Sequence, residues 1–258
     1  MIGCIIQARM GSSRLPGKVM KPLDADNPLL YSVLFQLKNC EFIEEIVVAT
    51  TDLEEDDVIE QYLKKNNIKC FRGSSDDVLD RYYQCAKKFS FSTIIRIPAD
   101  KPFIDPEFVD TIIKKFNMKD LDYITTFLPP TFPIGSEVEV FSFECLEKTW
   151  KNAKLPSERE HVTSYIYNNK DKFKILNIEN DKDESNFRWA VDREEDYKLA
   201  LNIMSEIKNR PILTRDIINL FKRNPDLTKI NNKIDKDEGM KKSTLQDKQF
   251  LIERNGEI

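Results

Sequence analysis

An alternation in the first half of the chain constrains the fold more than any other feature. Four short apolar runs, IGCII, EIVVATT, IKCF and TIIRI, are each followed by a longer segment with helical apolar spacing: LLYSVLFQLKNC, DVIEQYLKKNN, DVLDRYYQCAKKF and PEFVDTIIKKF. Short runs rich in β-branched residues read as buried strands, and four strand-helix repeats predict βαβ units around a parallel sheet. Asp105 before Pro106 reads as an N-cap with proline at the first helical position, which sets the start of the fourth helix. The second half is less regular. Strand-like stretches LDYITTF, VEVFSF, FKILNIE and FRWAVD are interleaved with helical patterns near 144–153, 157–168, 193–207 and 214–223. This predicts a mixed, mostly parallel sheet in one α/β domain over 1–228. From about 229 to 258 the chain is rich in Asn, Lys and Asp and poor in large apolar residues, so a loosely packed tail is expected there.

Composition narrows the partners. A chain of 258 residues can bury a sizeable core. Net charge is -4, with 33% charged residues of both signs, so there is no basic footprint for nucleic acid and polyanion binding must be local. The N-terminus shows neither a signal-like apolar region nor a membrane span, and Cys4, Cys40, Cys70, Cys85 and Cys145 are scattered singly without a CxxC pair. The expectation is a cytoplasmic, reduced protein with no membrane partner, its thiols serving as small core residues. With His161 the one histidine, no zinc site is visible.

In an open parallel sheet, ligands bind outside the carboxyl ends of the strands. Those ends are polar here. The first leads into Gln7, Ala8, Arg9 and the loop RMGSSRLPGK; the second into Thr50, Thr51 and Asp52; the third into Arg72 through Asp77; the fourth into Ala99, Asp100 and Lys101. The loop is not the phosphate loop of nucleoside triphosphatases, because five residues separate Gly11 from Gly17 and Val19 follows Lys18. The physical logic survives: turn N–H groups, a hydroxyl at Ser12 or Ser13, and the cations Arg9, Arg14 and Lys18 form a cradle for a polyphosphate. Asp100, where the chain leaves the fourth strand, faces that cradle. Mg²⁺ reconciles a carboxylate with phosphate and takes one or two carboxylates, so Asp192 in FRWAVDREED is the second candidate ligand. The alternatives are a turn residue at Asp100 and a helix N-cap at Asp192.

The strings IIQARMGSSRLPGKVM, GSSDDVLDRYY, RIPADKPFIDP, EREHVTSYIY and WAVDREED, in that order, resemble the cytidylyltransferases related to spore-coat polysaccharide biosynthesis protein F. Those are similar in turn to CMP-Kdo and CMP-acylneuraminate synthetases. The resemblance spans roughly 1–225, with an EGMKKS echo in the tail. It implies a Rossmann-like nucleotide-diphosphosugar-transferase fold and transfer of CMP from CTP to a small-molecule acceptor, with release of pyrophosphate. It places Arg9 and Lys18 on the triphosphate, with Ser12 and Arg14 beside them and Ala8 and Gly11 in the same nucleotide-binding stretch. It makes Asp100 and Asp192 the Mg²⁺ ligands, so that Arg9, Lys18 and Asp100 form the catalytic set. Thr51, Asp52, Arg72, Asp77, Val78 and Leu79 are candidates for reading the cytosine. One departure stands out: the family pattern Thr-Gly-Asp-Cys-Pro is here Pro98, Ala99, Asp100, Lys101, Pro102.

Acceptor contacts are expected from the second half, at Glu139 in VEVF and at Arg159 and His161 in EREHVT, whereas Arg96, inside its strand, has a buried ion pair as its alternative role. Sugar acids, sugar phosphates and phosphonates present the same nucleophilic oxygen and are not distinguished by sequence. Relatives often form homodimers, which becomes an expectation for this chain. Two competing readings are a glycosyltransferase, whose Asp-x-Asp pattern appears at 24–26 and 181–183 in loops rather than at strand ends, and a non-catalytic nucleotide-binding partner.

Overall fold

The structure, a computed structural model, describes residues 1–235 and 238–255. In chain order, β1 (Ile2–Gln7) is followed by a small hairpin, β2 (Pro22–Asp24) and β3 (Asn27–Pro28), and by α1 (Leu29–Leu37). Three strand-helix repeats come next: β4 (Glu45–Thr51) and α2 (Asp57–Lys65), β5 (Lys69–Gly73) and α3 (Val78–Lys88), β6 (Thr93–Pro98) and α4 (Pro106–Asn117). The second half carries β7 (Tyr123–Thr125), β8 (Glu139–Ser142), α5 (Phe143–Asn152), α6 (Pro156–His161), α7 (Ser164–Asn168) and β9 (Ile175–Asn177). It closes with α8 (Glu194–Glu206), α9 (Thr214–Arg223) and α10 (Glu238–Asn255).

The sheet runs β5-β4-β1-β6-β8-β7-β9. Only β8 opposes the other strands, pairing antiparallel with both β6 and β7. This is the α/β, Rossmann-like, mostly parallel architecture expected from the alternation. The apolar runs are continuous because helices cover both faces. Cys4 and Ile6 of β1 enter a core with α1, α4, α8 and α9, while Ile5 between them enters a second core with α3, α5 and α7. Gln7 lies level with Ala49 of β4 and Pro98 of β6, so the loops after the central strands leave the sheet side by side. Asp105 caps α4 by accepting from the N–H groups of Glu107 (3.0 Å) and Phe108 (3.2 Å), with Pro106 at the first helical position.

Three local expectations are corrected. FRWAVD is extended but forms only an isolated bridge, between Arg188 and Ile134. Gly135, at φ +108°, permits this, since a Cβ there would lie 2.5 Å from the Ala190 nitrogen. The helical pattern over 157–168 is broken at Val162, a β-branched residue at φ +66°. The chain beyond 229 contains α10, which lies against α6.

Candidate active site

The basic loop is closed on itself and pinned to the sheet. The Met10 carbonyl accepts from the N–H groups of Ser12 (2.8 Å) and Gly17 (2.9 Å), and the Met10 N–H donates to the buried Asp56 carboxylate (2.6 Å). Gly17 sits at φ +67°, a left-handed turn that glycine takes without cost, and there the chain swings into a single 3-10 turn beginning at Lys18. The result carries Lys18 inward. Its Nζ donates to Asp192 Oδ1 at 2.9 Å and to Asp100 Oδ2 at 3.1 Å, while Arg14 pairs with the other Asp192 oxygen. The Val191 N–H donates to the Asp100 carbonyl (2.8 Å), which ties the Asp192 stretch to the end of β6.

Asp192 is not a helix cap. The N-cap of α8 is Arg193, and Asp196 accepts from the N–H groups of Asp192 and Arg193, both at 3.0 Å. The Asp192 carboxylate is committed to cations alone among the described residues. Burial acts most strongly on Asp100 and would push its pKa up, but Lys18, Lys101 and Arg188 outweigh it and hold the carboxyl below its ordinary value. Burial likewise works against the Lys18 ammonium, and Asp100 and Asp192 reverse it, leaving Lys18 above its ordinary value. Lys101, the departure from the family pattern, is tied to the Glu137 carbonyl (2.8 Å) and carboxylate (3.0 Å).

Several other expected residues are committed elsewhere. Glu139 is buried and accepts from Arg96, from Tyr123 Oη (2.7 Å) and from Thr163 Oγ1 (2.5 Å), so it braces the sheet instead of meeting a ligand. Arg96 therefore has the buried ion pair named as its alternative. Arg159 pairs with Asp77 and donates to the Trp150 carbonyl (2.9 Å), which joins a presumed acceptor residue to a presumed nucleotide residue. Asp77 also caps α3. Arg72 donates to the Thr51 and Leu53 carbonyls and pairs with Asp57 and Glu60, clamping the β4–α2 connection. The Thr51 hydroxyl donates to Asp56, and Leu79 is wholly in the core. Of the candidates after β4 and β5, Asp52 is exposed and Val78 lines a cavity.

That cavity, about 120 Å³, opens beside the loop. Gln7, Ala8 and Arg9 line it from the end of β1, Val78 and Arg81 from α3, Arg96 from β6, and Glu160 and His161 from α6. Three of the residues that line it carry a buried polar atom with no hydrogen-bond partner among the described residues: Gln7 Oε1, Arg81 Nε and Arg96 Nε. Buried polar atoms are almost always satisfied, so a cluster of orphans on one cavity marks a place that a polar ligand completes. Arg81 and Arg188 are the site residues that sequence reasoning missed. Arg81 left a signal, since it falls on the apolar stripe of α3 beside Val78, Tyr82 and Cys85.

The family model described as cytidylyltransferase matches residues 3–227. The chain belongs to the cytidylyltransferase family. It is a CTP-dependent nucleotidyltransferase, and that activity leaves both the glycosyltransferase reading and the non-catalytic reading behind. It is 34% identical over 230 residues to the spore coat polysaccharide biosynthesis protein SpsF of Bacillus subtilis, covering 86% of this chain and 94% of that one. It is similar to a solved cytidylyltransferase from Leptospira borgpetersenii, with TM-score 0.84, 36% identity, and coverage of 88% and 96%. A CMP:2-keto-3-deoxy-manno-octonic acid synthetase solved with CTP shares the fold, at TM-score 0.62, 16% identity, and coverage of 80% and 98%.

Proposed function

We propose that this cytidylyltransferase moves CMP from CTP onto an oxygen of a sugar acid or related anionic acceptor, releasing pyrophosphate, in the making of a surface polysaccharide or related glycan. The observation that carries this reading is the cluster of Lys18, Arg14, Asp100 and Asp192. It sets two cations of a closed loop directly against two carboxylates at the carboxyl end of a parallel sheet. Such a cluster is self-neutralised without ligand and rearranges readily around a metal-triphosphate, because every partner in it also suits the ligand. Asp100 and Asp192 fit Mg²⁺ as a carboxylate pair within reach of one ammonium, and phosphate oxygens would complete the shell; no group of three or more metal-ligating side chains occurs among the described residues. When bound, the ion would offset charge on the triphosphate.

The chain's own groups do the rest. Arg9, Arg14 and Lys18 orient the triphosphate and offset charge gathering on the departing pyrophosphate, and the acceptor oxygen attacks the α-phosphorus in line. Arg9, Arg81 and Arg96 converge on one cavity with Glu160 as the counter-charge there, which suits an acceptor carrying a carboxylate. The test is a pyrophosphate-release assay crossing CTP, UTP, ATP and GTP with a panel of sugar acids, sugar phosphates and phosphonates. CTP with a sugar acid should give the highest rate. Release that is equal for all acceptors, or seen only with sugar phosphates, would overturn the acceptor assignment.

A further inference from the structure

The segment beyond residue 227 lies outside the family match, yet it returns to the cavity. Ser243 of α10 is almost fully buried, and its Oγ lies 2.6 Å from His161 Nε2. The same hydroxyl donates to the Gly239 carbonyl at 3.1 Å. A serine hydroxyl carries one hydrogen, so with that hydrogen on Gly239 it accepts from His161, and the proton of the neutral ring belongs on Nε2. One turn further along, Asp247 accepts from both the N–H (2.9 Å) and the hydroxyl (2.6 Å) of Ser157, satisfying a free donor in the first turn of α6 from outside that helix. At the other end of α10, Glu238 pairs with Arg193, the neighbour of Asp192. Three polar ties thus fasten α10 across the site, from the carboxylate side to the cavity side. Immediately after His161, Val162 holds a left-handed backbone conformation that β-branched residues avoid, so the ring is delivered by a locally strained chain that its surroundings must fix.

We infer that α10 is a positioning element and that Ser243 locks His161 in the Nε2–H form, leaving Nδ1 as the hydrogen-bond acceptor presented to the acceptor's hydroxyl in the cavity. His161 Nδ1 meets no partner among the described residues, and His161 lines the cavity. The electrostatics agree: burial, the largest influence, holds the His161 pKa below its ordinary value and Arg96 adds to this, against Glu160, Asp247 and Glu139, which favour the charged ring. A neutral ring with a free nitrogen accepts a proton or a hydrogen bond; a ring free to flip between tautomers does so only part of the time. The role assigned to the acceptor rests on the proposed function, whereas the tautomer and its dependence on α10 do not.

Because His161 is the only histidine, ¹⁵N-histidine labelling of the full chain reports its two ring nitrogens without ambiguity. The unliganded protein should show the Nε2–H tautomer at pH 7. Ser243→Ala should give a mixture of tautomers, Asp247→Ala should shift it the same way by loosening α10, and Ser243→Thr, which keeps a hydroxyl, should restore the parent spectrum. In turnover, Ser243→Ala should lower kcat/KM for the acceptor about tenfold, the worth of one hydrogen bond, and leave the KM for CTP unchanged. An Nδ1–H tautomer in the parent, or spectra unmoved by Ser243→Ala, would overturn the inference whatever the enzyme turns over. If the spectra behave as expected and acceptor kinetics do not move, Ser243 holds the ring but the ring does not serve the acceptor, which overturns the second half of the inference alone.

Discussion

Lys18 with Asp100 and Asp192, and Arg96 with Glu139, are both buried charge clusters at the same end of the sheet, and they are built in opposite ways. In the first, the side chains keep 11%, 27% and 18% of their surface exposed, and Arg14 adds a second cation. In the second, Glu139 keeps 4%, and its carboxylate also takes hydrogen bonds from Tyr123 and Thr163. The first cluster has partners that a ligand can replace. The second has its carboxylate saturated, and among its hydrogen-bonding groups Arg96 Nε is buried without a partner. A charge near a site is therefore read by how completely it is satisfied: Lys18 and Asp192 are available to chemistry, whereas Glu139 is part of the frame.

The comparison breaks first at Asp192. Asp192→Ser should reduce turnover by about 10²–10³, the usual scale for losing one preorganised electrostatic partner. It should melt within a few degrees of the parent, because Asp196, not Asp192, satisfies the start of α8. Steady-state rates set beside a thermal melt decide it, and full activity would remove Asp192 from the site. The reciprocal change is Glu139→Gln. It leaves the Arg96 guanidinium buried without its counter-charge, so chemical denaturation should show a loss of about 3 kcal/mol. CTP affinity of the remaining folded protein should stay near the parent value.

Lys18→Met sharpens the first cluster further. CTP affinity should fall about 10–100-fold, in line with losing one charge-assisted contact. With the ammonium gone from between them, Asp100 and Asp192 should bind Mn²⁺ more tightly in the absence of nucleotide, as read by titration calorimetry. Unchanged CTP affinity would show that the loop has been misassigned.

The difference between the clusters also tracks what the amino-acid sequence reveals. Strand ends in the regular half are set by local rules, and Lys18, Asp100 and Asp192 each follow a recognisable break in an apolar pattern. Their convergence is legible because parallel βαβ units place all such ends on one edge. Glu139 and Arg159 are also polar residues near strand and helix ends, but their partners, Arg96 and Asp77, lie 43 and 82 positions away. Nothing local says that those long-range pairings consume them. FRWAVD has strand-like composition, but in the fold it makes a single bridge, between Arg188 and Ile134, with Gly135 packed closely against Trp189 and Ala190. Asp192 is a plausible cap in sequence, and what removes it from that role is a helix start at Glu194, one residue later than the pattern suggests. The tail is polar enough to look unpacked because its ties to α6 and Arg193 are made by Ser243, Asp247 and Glu238, not by apolar residues.

The smallest expected effect is a dependence of stability on pH, and it belongs to the cavity side. His161 is held below its ordinary value of 6.5 in the folded protein, by burial first and Arg96 next. Between the folded value and 6.5 the unfolded chain binds the proton more readily, so stability should fall as pH drops through that window and level off above it. The two clusters do not confuse the measurement. Asp100 and Glu139 are depressed, so their contributions are present above 3.8 and 4.5 and are lost only as pH falls through their still lower folded values. Lys18 is raised above 10.5, so its contribution is intact below that and lost only as pH rises through its folded value. The raised cysteine thiols matter only above 9.0, where the unfolded chain begins to lose those protons. With one histidine in the chain, the slope between about pH 5 and 7 therefore reports His161. Urea unfolding across that range should show the slope in the parent and a flat line in His161→Gln. A slope that survives the substitution would place the titrating group elsewhere, and an inverted slope in the parent would mean that Glu160, Asp247 and Glu139 outweigh burial and keep the ring charged.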